Sequence, residues 1–331
     1  MKKFAILFIA LAVVGTGAFA QAKAKIGVSI YKFDDTFMSY VRGKIESEAK
    51  AASTTISVQD GQGDQSKQND ITDLFLTQGY NSLAINMVEP ASANVLIQKA
   101  AAKKVPLVLF NREPGDLDLA KFANVYYVGA KAQESGTMEG TIAANYWKKT
   151  PAADKNKDGT MQYVMLIGDP ANTDAKYRTE FSIKAVKAAG IKVEELAADT
   201  AMWQRGDAQN KMQAWLAKFG DKIEMVFANN DDMALGAIEA LKAAGYFTAG
   251  KYMPVVGVDA TPPALDALKQ GTLLGTVLND AVNQGKATYD LAAQLGAGSK
   301  TIKTVAPLAN KDGQPDANGY YVWVPYQMVT K

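Results

Sequence analysis

The segment DKNKDGTMQYVM at residues 154–165 has the residue spacing of a calcium-binding loop. Oxygen-bearing side chains stand at its first, third, fifth and ninth positions, with glycine at the sixth: Asp154, Asn156, Asp158, Gln162 and Gly159. An EF-hand loop places a bidentate Glu at position twelve, where this chain has Met165. The segment is therefore either a calcium site whose last ligand comes from elsewhere or a polar turn of similar composition.

Catalytic chemistry that needs histidine or cysteine is excluded by composition. The 331 residues contain neither residue type, so Ser-His-Asp and Cys-His catalysis, His-ligated metal sites and disulfide bonds are all ruled out.

The amino terminus, MKKFAILFIALAVVGTGAFAQ, has the organisation of a signal peptide. Two lysines precede an apolar run at residues 4–14, and small residues end in Ala18-Phe19-Ala20. The run is shorter than the ~20 residues that span a bilayer. We expect cleavage after Ala20 and export of a soluble protein.

Net charge predicts no polyanionic partner. Loss of Lys2 and Lys3 with the leader lowers the count of basic residues from 36 to 34, which equals the 34 acidic residues. We therefore expect no nucleic acid as a partner.

Short apolar runs alternate with longer helix-like segments along the chain, and the alternation restarts after Gly129. The runs are apolar nearly throughout, which is typical of strands covered on both faces. Repeated β-α-β order predicts parallel sheets with right-handed crossovers. We predict an α/β protein with two doubly wound parallel-sheet domains.

Polar side chains follow the predicted strands in both halves of the chain. They are Asp34, Asp35, Asn111, Asn172, Asp174, Arg178, Asn230, Asp259, Asn279 and Asp280. Ligands of such sheets bind beyond the carboxyl ends of the strands, although Asp and Asn at these points are also common helix caps. The series predicts a polar cleft between the domains.

The residue types in this cleft suit a neutral polyol. Asp, Asn and Arg side chains form directional hydrogen bonds with hydroxyl groups, and no glycine-rich phosphate loop follows any strand. The apolar C–H face of a sugar also packs well against an aromatic ring. Phe37 and Trp203 stand in polar loop contexts and are the candidates for that contact.

The segments GVSIYKFDDTFM, NKDGTMQYV, DTAMW, EMVFANND, VVGVDA and GTVLNDA resemble the periplasmic galactose/glucose-binding proteins, across nearly the whole chain after the leader. The resemblance implies the type I periplasmic binding protein fold, with three crossover segments joining the domains. We expect a first lobe at 24–130 and 280–322 and a second at 131–279 and 323–331.

The resemblance implies a function and partners. Proteins of this family trap a hexose by hinge closure and deliver it to an ABC importer and, in motile cells, to a chemoreceptor. It implies a periplasmic monomer with no enzymatic activity. Hydrogen bonds to the sugar are implied for Asp35, Asn111, Asp174, Arg178, Asn230, Asp259 and Asn279, and stacking for Phe37 and Trp203. Asn172 replaces the family's usual His, which puts the glucose-to-galactose preference in doubt.

Strand order also suggests the missing calcium ligand. Met165 falls within a predicted strand, and Glu224 begins another strand, KIEMVFANND, of the same parallel sheet. Parallel strands begin at the same edge, so Glu224 is expected beside the loop. The resemblance implies the same completion, with structural Ca²⁺ held by Asp154, Asn156, Asp158, the Thr160 carbonyl, Gln162 and Glu224.

Two other classes of protein remain as alternatives. A glycosidase needs two opposed carboxylates, and Asp35, Asp174 and Asp259 include such a pair in principle. A sugar-responsive transcription regulator can use a two-lobed fold, but it would carry a basic helix-turn-helix headpiece where this chain has a leader.

Overall fold

The computed structural model describes residues 23–248, 250–299 and 319–331. These residues form the twelve strands β1 (Lys25–Ile30), β2 (Thr55–Asp60), β3 (Ser82–Ile85), β4 (Leu107–Phe110), β5 (Val125–Gly129), β6 (Thr160–Ile167), β7 (Lys192–Thr200), β8 (Met225–Ala228), β9 (Val255–Val256), β10 (Gly275–Leu278), β11 (Tyr321–Trp323) and β12 (Gln327–Thr330). The predicted signal peptide lies outside the described residues. The sequence NKDG of the calcium-like loop, at 156–159, recurs at 310–313, and this second NKDG sequence also lies outside them.

The described α-helices connect these strands. They are α1 (Thr36–Ala51), α2 (Gln65–Thr77), α3 (Ala93–Ala102), α4 (Ala132–Lys149), α5 (Thr173–Ala188), α6 (Arg205–Phe219), α7 (Asp231–Ala243), α8 (Pro262–Gln270) and α9 (Ala281–Gly296). Within the described ranges, none of them combines the length and apolar character that crossing a membrane requires.

The strands form two sheets of the same order, which confirms the predicted fold class. In the described residues the first sheet runs β11-β5-β4-β3-β1-β2 and the second runs β12-β10-β9-β8-β6-β7. All pairs are parallel except β10 with β12. In each sheet the order reverses beside the first strand of the lobe, at β1/β3 and at β6/β8, where ligands of doubly wound sheets bind.

The chain passes between the lobes three times within the described residues. It crosses from β5 to α4, returns from β10 to α9, and crosses again from β11 to β12. Because β11 ends at Trp323, the first lobe extends one residue past the expected boundary at 322.

Each sheet is covered on both faces, because alternate residues of its central strands enter different cores. In β4, Val108 and Phe110 belong to one buried cluster and Leu107 and Leu109 to another. The edge strands β2 and β7 differ, since two residues of β2 and five residues of β7 are exposed. The expectation of apolar strands therefore holds for the interior strands and is wrong for these two edges.

Helices α4 and α5 of the second lobe pack backbone against backbone. Gly136 and Gly140 of α4 face α5, and a Cβ at Gly140 would lie 2.1 Å from the carbonyl oxygen of Ser182. Glycine is therefore required at this crossing, and the contact fixes the position of α5, whose first turn reaches the cleft.

We predict that Gly140→Ala lowers the free energy of unfolding by about 1–3 kcal/mol, because the added methyl group forces the two helices apart. Gly43→Ala in α1 is the matched control, since no atom lies within 4 Å of its Cβ position. It should raise stability by about 0.5–1 kcal/mol through helix propensity. Urea denaturation measures both, and equal effects of the two substitutions would contradict the packing argument.

Candidate functional site: a polar cleft between two lobes

All ten residues predicted to bind the ligand line one cavity between the lobes. They are Asp35, Phe37, Asn111, Asn172, Asp174, Arg178, Trp203, Asn230, Asp259 and Asn279. The cavity has about 340 Å³ free of protein atoms, part of it open to solvent. Both sheets direct the carboxyl ends of their strands toward it, as the strand-end argument requires.

Several cavity residues also cap the helix that follows their strand. Asp35 accepts a hydrogen bond from the backbone N–H of Met38 at 2.7 Å. Asn230 accepts from Met233 at 2.9 Å. Capping and cavity lining are therefore combined in the same side chains. The second polar atom of each bonds another cavity residue, since Oδ2 of Asp35 accepts from the Tyr31 hydroxyl and Nδ2 of Asn230 donates to the carbonyl oxygen of Trp203 at 3.3 Å.

Arg178 is the charged centre of the second-lobe wall. Its guanidinium is buried and bonds the Asp174 carboxylate at 3.1 Å and the carbonyl oxygen of Asn229 at 2.8 Å. Asp259 lies 3.8 Å away, and the hydroxyl of Tyr326, in the third crossover, accepts at 3.3 Å. These contacts hold the guanidinium in one orientation.

Burial raises the pKa of the cavity carboxyls Asp35, Asp174 and Asp259, while the positive charge of Arg178 lowers the pKa of Asp174 and Asp259. Tyr31 donates its hydroxyl hydrogen to Asp35 at 2.5 Å. The cleft thus concentrates acceptors in a water-poor environment, which strengthens hydrogen bonds to neutral hydroxyl groups.

The two candidate aromatic residues reach the cavity from opposite lobes. Phe37 and Trp203 are both 8% exposed. Trp203 lies against Gly168, where a Cβ would stand 2.1 Å from the indole ring. Its φ of +67° places it in the left-handed region, which is strained for a bulky residue, so local packing holds the ring toward the cleft.

Sequence reasoning missed three lining residues, Tyr31, Met38 and Arg112. Arg112 is 2% exposed and contacts Asp169 of the other lobe at 3.1 Å. Its guanidinium also lies 3.8 Å from the centre of the Tyr31 ring. Both members of the ion pair follow strand ends, so extending the strand-end argument past the nearest polar residue would have found them.

The calcium-like loop lies at the opposite edge of the second sheet. Thr160 begins β6, whose eight residues separate the loop from the cleft by about 25 Å at 3.3 Å per residue. Glu224 accepts hydrogen bonds from the backbone N–H groups of Lys155 at 2.6 Å and Gln162 at 3.1 Å. Met165 is fully buried, so position twelve cannot supply a ligand.

The loop side chains bond mainly to one another. Asp158 accepts from the amide nitrogens of Asn156 and Gln162, both at 2.9 Å, and Asp154 accepts from the backbone N–H of Gly159 at 2.9 Å. In the residues that the structure describes, no three acidic side chains converge on a single metal position.

Comparison with known proteins identifies the family. Residues 26–300 match the family described as periplasmic binding protein domain. This chain belongs to that family. Its members are solute-binding proteins and not enzymes, so the family does not support the glycosidase alternative, and it implies a periplasmic location.

Three relatives share most of their length with this chain. The D-galactose/methyl-galactoside binding periplasmic protein MglB of Haemophilus influenzae is 45% identical over 92% of each chain. A putative rhizopine-binding protein of Rhizobium meliloti is 31% identical over 100% of this chain and 97% of its own. An ABC transporter solute-binding protein of Bacillus halodurans, solved with myo-inositol, has 26% identity and a TM-score of 0.76 over 94% and 95% of the two chains.

Glu139 of α4 is an acid behind the cleft that sequence reasoning missed. It is fully buried, and among the described residues neither carboxylate oxygen makes a hydrogen bond of standard geometry, although the backbone N–H of Ala228 is near enough to lower its pKa. Burial raises its pKa to about 8, against the opposing influence of Arg178. Between an unfolded pKa of 4.5 and about 8, the folded state holds a proton that the unfolded state releases, so stability falls as pH rises through this window.

We predict that Glu139→Gln raises the melting temperature more at pH 9 than at pH 5, because Gln removes the cost of ionising a buried acid. Differential scanning fluorimetry at both pH values measures this. The exposed Glu180→Gln in α5 is the control and should show no such difference. An equal rise in melting temperature for Glu139→Gln at both pH values would contradict the raised pKa assigned to Glu139.

Proposed function

We propose that this chain traps a hexose, galactose or glucose, between its lobes and delivers it to an ABC importer. The gathering of ten polar and aromatic residues from both lobes around one cavity carries this proposal. Carboxylates, amides and one guanidinium suit the many hydroxyls of a neutral sugar, and two aromatic rings suit its C–H faces.

The relatives support this ligand class. The 45% identical relative is named for D-galactose and methyl-galactoside, and the Bacillus halodurans structure holds myo-inositol, another ring polyol. Galactose is the favoured candidate because that relative is 45% identical over 92% of this chain. Asn172, in place of the family's usual His, is expected to alter the balance between galactose and glucose.

Hinge closure is the proposed mechanism. The crossovers connect the lobes, and closure of the two lobes around the sugar pairs its hydroxyls with side chains of both walls. The ion pair between Arg112 and Asp169 spans the cleft at 3.1 Å and stabilises the closed form. Closure presents a joint surface of the two lobes to the membrane components of the importer and, in a motile cell, to a chemoreceptor.

The protein acts as a monomer, exported with cleavage after Ala20.

We further propose that the loop at 154–162 holds a structural Ca²⁺ with Glu224. Three carboxylates, two amide oxygens and the Thr160 carbonyl are the hard oxygen ligands that Ca²⁺ prefers, and the ion would draw them together by replacing the bonds that Asn156 and Gln162 make to Asp158. Glu224 is 1% exposed, and burial raises its pKa; a divalent cation beside it would offset that cost. The ion would join the loop to the start of β8 and would not touch the sugar.

The proposed sugar site gives one prediction. Asp35→Ala and Trp203→Ala should each weaken hexose binding by about tenfold to a hundredfold, because each removes a buried contact worth roughly 1.5–3 kcal/mol. Isothermal titration calorimetry with galactose, glucose, ribose and arabinose measures this. Asp34→Ala is the matched control, since Asp34 is exposed and pairs with Lys32. Near-wild-type affinity for either cavity variant would contradict the assignment.

The proposed metal site gives another prediction. Addition of Ca²⁺ should raise the melting temperature of the wild-type protein, and Glu224→Gln should remove most of that rise while leaving hexose affinity unchanged. Asp312→Asn, in the second NKDG sequence, should respond to Ca²⁺ as the wild type does. Loss of sugar binding by Glu224→Gln without a lower melting temperature would contradict the structural role.

A further inference from the structure

The asparagines that line the cavity each have their side-chain carbonyl oxygen engaged by the protein. In the described residues they are Asn111, Asn172, Asn230 and Asn279. Two of these oxygens cap helices: that of Asn172 accepts from the backbone N–H of Asp174 at 3.0 Å, and that of Asn230 from Met233 at 2.9 Å. Only an oxygen can accept from a backbone N–H, so both amides direct nitrogen away from the helix.

Asn86 fixes the orientation of Asn111. It is fully buried at the end of β3. Its Oδ1 accepts from the backbone N–H of Tyr31 at 3.2 Å, and its Nδ2 donates to the backbone carbonyl of Phe110 at 3.2 Å. Backbone groups therefore determine which end of this amide is nitrogen. The same Nδ2 lies 3.2 Å from Asn111, which must present its oxygen to Asn86.

The Asp259 carboxylate fixes the orientation of Asn279, and Gln284 completes it. Gln284 lies on α9, is 1% exposed and has no partner for its Oε1 among the described residues. Its Nε2 donates to Oδ1 of Asn279 at 2.5 Å, and Nδ2 of Asn279 donates to the Asp259 carboxylate at 3.2 Å. Because a carboxylate only accepts, Asn279 turns its nitrogen toward Asp259 and its oxygen toward Gln284.

We propose that Asn86 and Gln284 determine ligand specificity by holding Asn111 and Asn279 so that these amides offer only N–H groups to the ligand. The proposal rests on the proposed sugar-binding function. Neither residue lines the cavity, so each is a positioning residue that acts through its asparagine.

The consequence is a fixed division of roles around the cavity. The amides and Arg178 donate, and the carboxylates Asp35, Asp174 and Asp259 accept. A hydroxyl beside an amide must accept, and a hydroxyl beside a carboxylate must donate. An epimer that reverses one of these pairs leaves buried groups unpaired, which is the most discriminating form of polar recognition.

The test uses Gln284→Glu at pH 8. The introduced carboxylate cannot donate, so Asn279 must turn its NH₂ toward residue 284, which brings its oxygen to the cavity side, where Nδ2 now donates to Asp259. The bound hexose should lose about tenfold in affinity, equivalent to one hydrogen bond. Gln284→Met is a second variant that removes the donor without adding charge.

Calorimetric titration with monodeoxy and deoxyfluoro analogues of the hexose separates positioning from structural damage. Fluorine accepts a hydrogen bond weakly and cannot donate one. At the ring position beside Asn279, the wild-type protein should bind the fluoro analogue more tightly than the deoxy analogue, because the amide N–H donates to fluorine. Gln284→Glu should reverse this order of affinities, because fluorine then faces a carbonyl oxygen. Asn86→Ala should change the same order at a different ring position.

Thr288→Val is the matched control, because Thr288 lies one turn further along α9, is fully buried and has no hydrogen-bond partner among the described residues. Thr288→Val should keep the wild-type order of affinities for the fluoro and deoxy analogues at every ring position. Uniform weakening by Gln284→Glu and Gln284→Met across all analogues, or unchanged affinity, would overturn this inference alone. Failure of the wild type to bind any sugar would overturn the proposed function and this inference together.

Discussion

A buried cation must be paired, and the second-lobe wall of the cleft is organised around that constraint at Arg178. Its bonds to Asp174 and to the Asn229 carbonyl, with Asp259 3.8 Å away, draw three strand ends toward one point. Each pairing is required because an unpaired buried charge costs several kcal/mol. Asp174, Arg178 and Asp259 also line the cavity, so the groups that pair the buried charge here form part of its wall.

The repeated strand order of the two sheets explains how one chain builds both walls. In each lobe the order reverses beside the first strand, and helix N-termini on either side of that point face the other lobe. The opposite edge of the second sheet carries the acidic loop and Glu224. Strand β6 lies between these two edges, so the loop residues do not line the cavity.

Much of the site was predictable because it depends on chain direction alone. Parallel strands bring residues such as Asp35 and Asn230 to one edge and Glu224 to the other, whatever the side-chain packing. The ion pair between Arg112 and Asp169 was not predictable in that way, since it depends on how closely the lobes approach. The burial of Glu139 depends on two glycines that bring α4 onto α5. The orientation of an amide such as Asn279 depends on a partner on another element, which spacing does not reveal.

The interleaved topology has a consequence for the order of folding. Helix α9 packs on α1 of the first lobe, and β11 pairs with β5, although both follow strands β6 to β10 of the second lobe in sequence. Strand β12 in turn joins β10. Neither sheet can therefore be completed until residues 321–330 have been synthesised. The first lobe therefore depends on segments that lie beyond most of the second, so the two lobes complete their folding together and not one after the other.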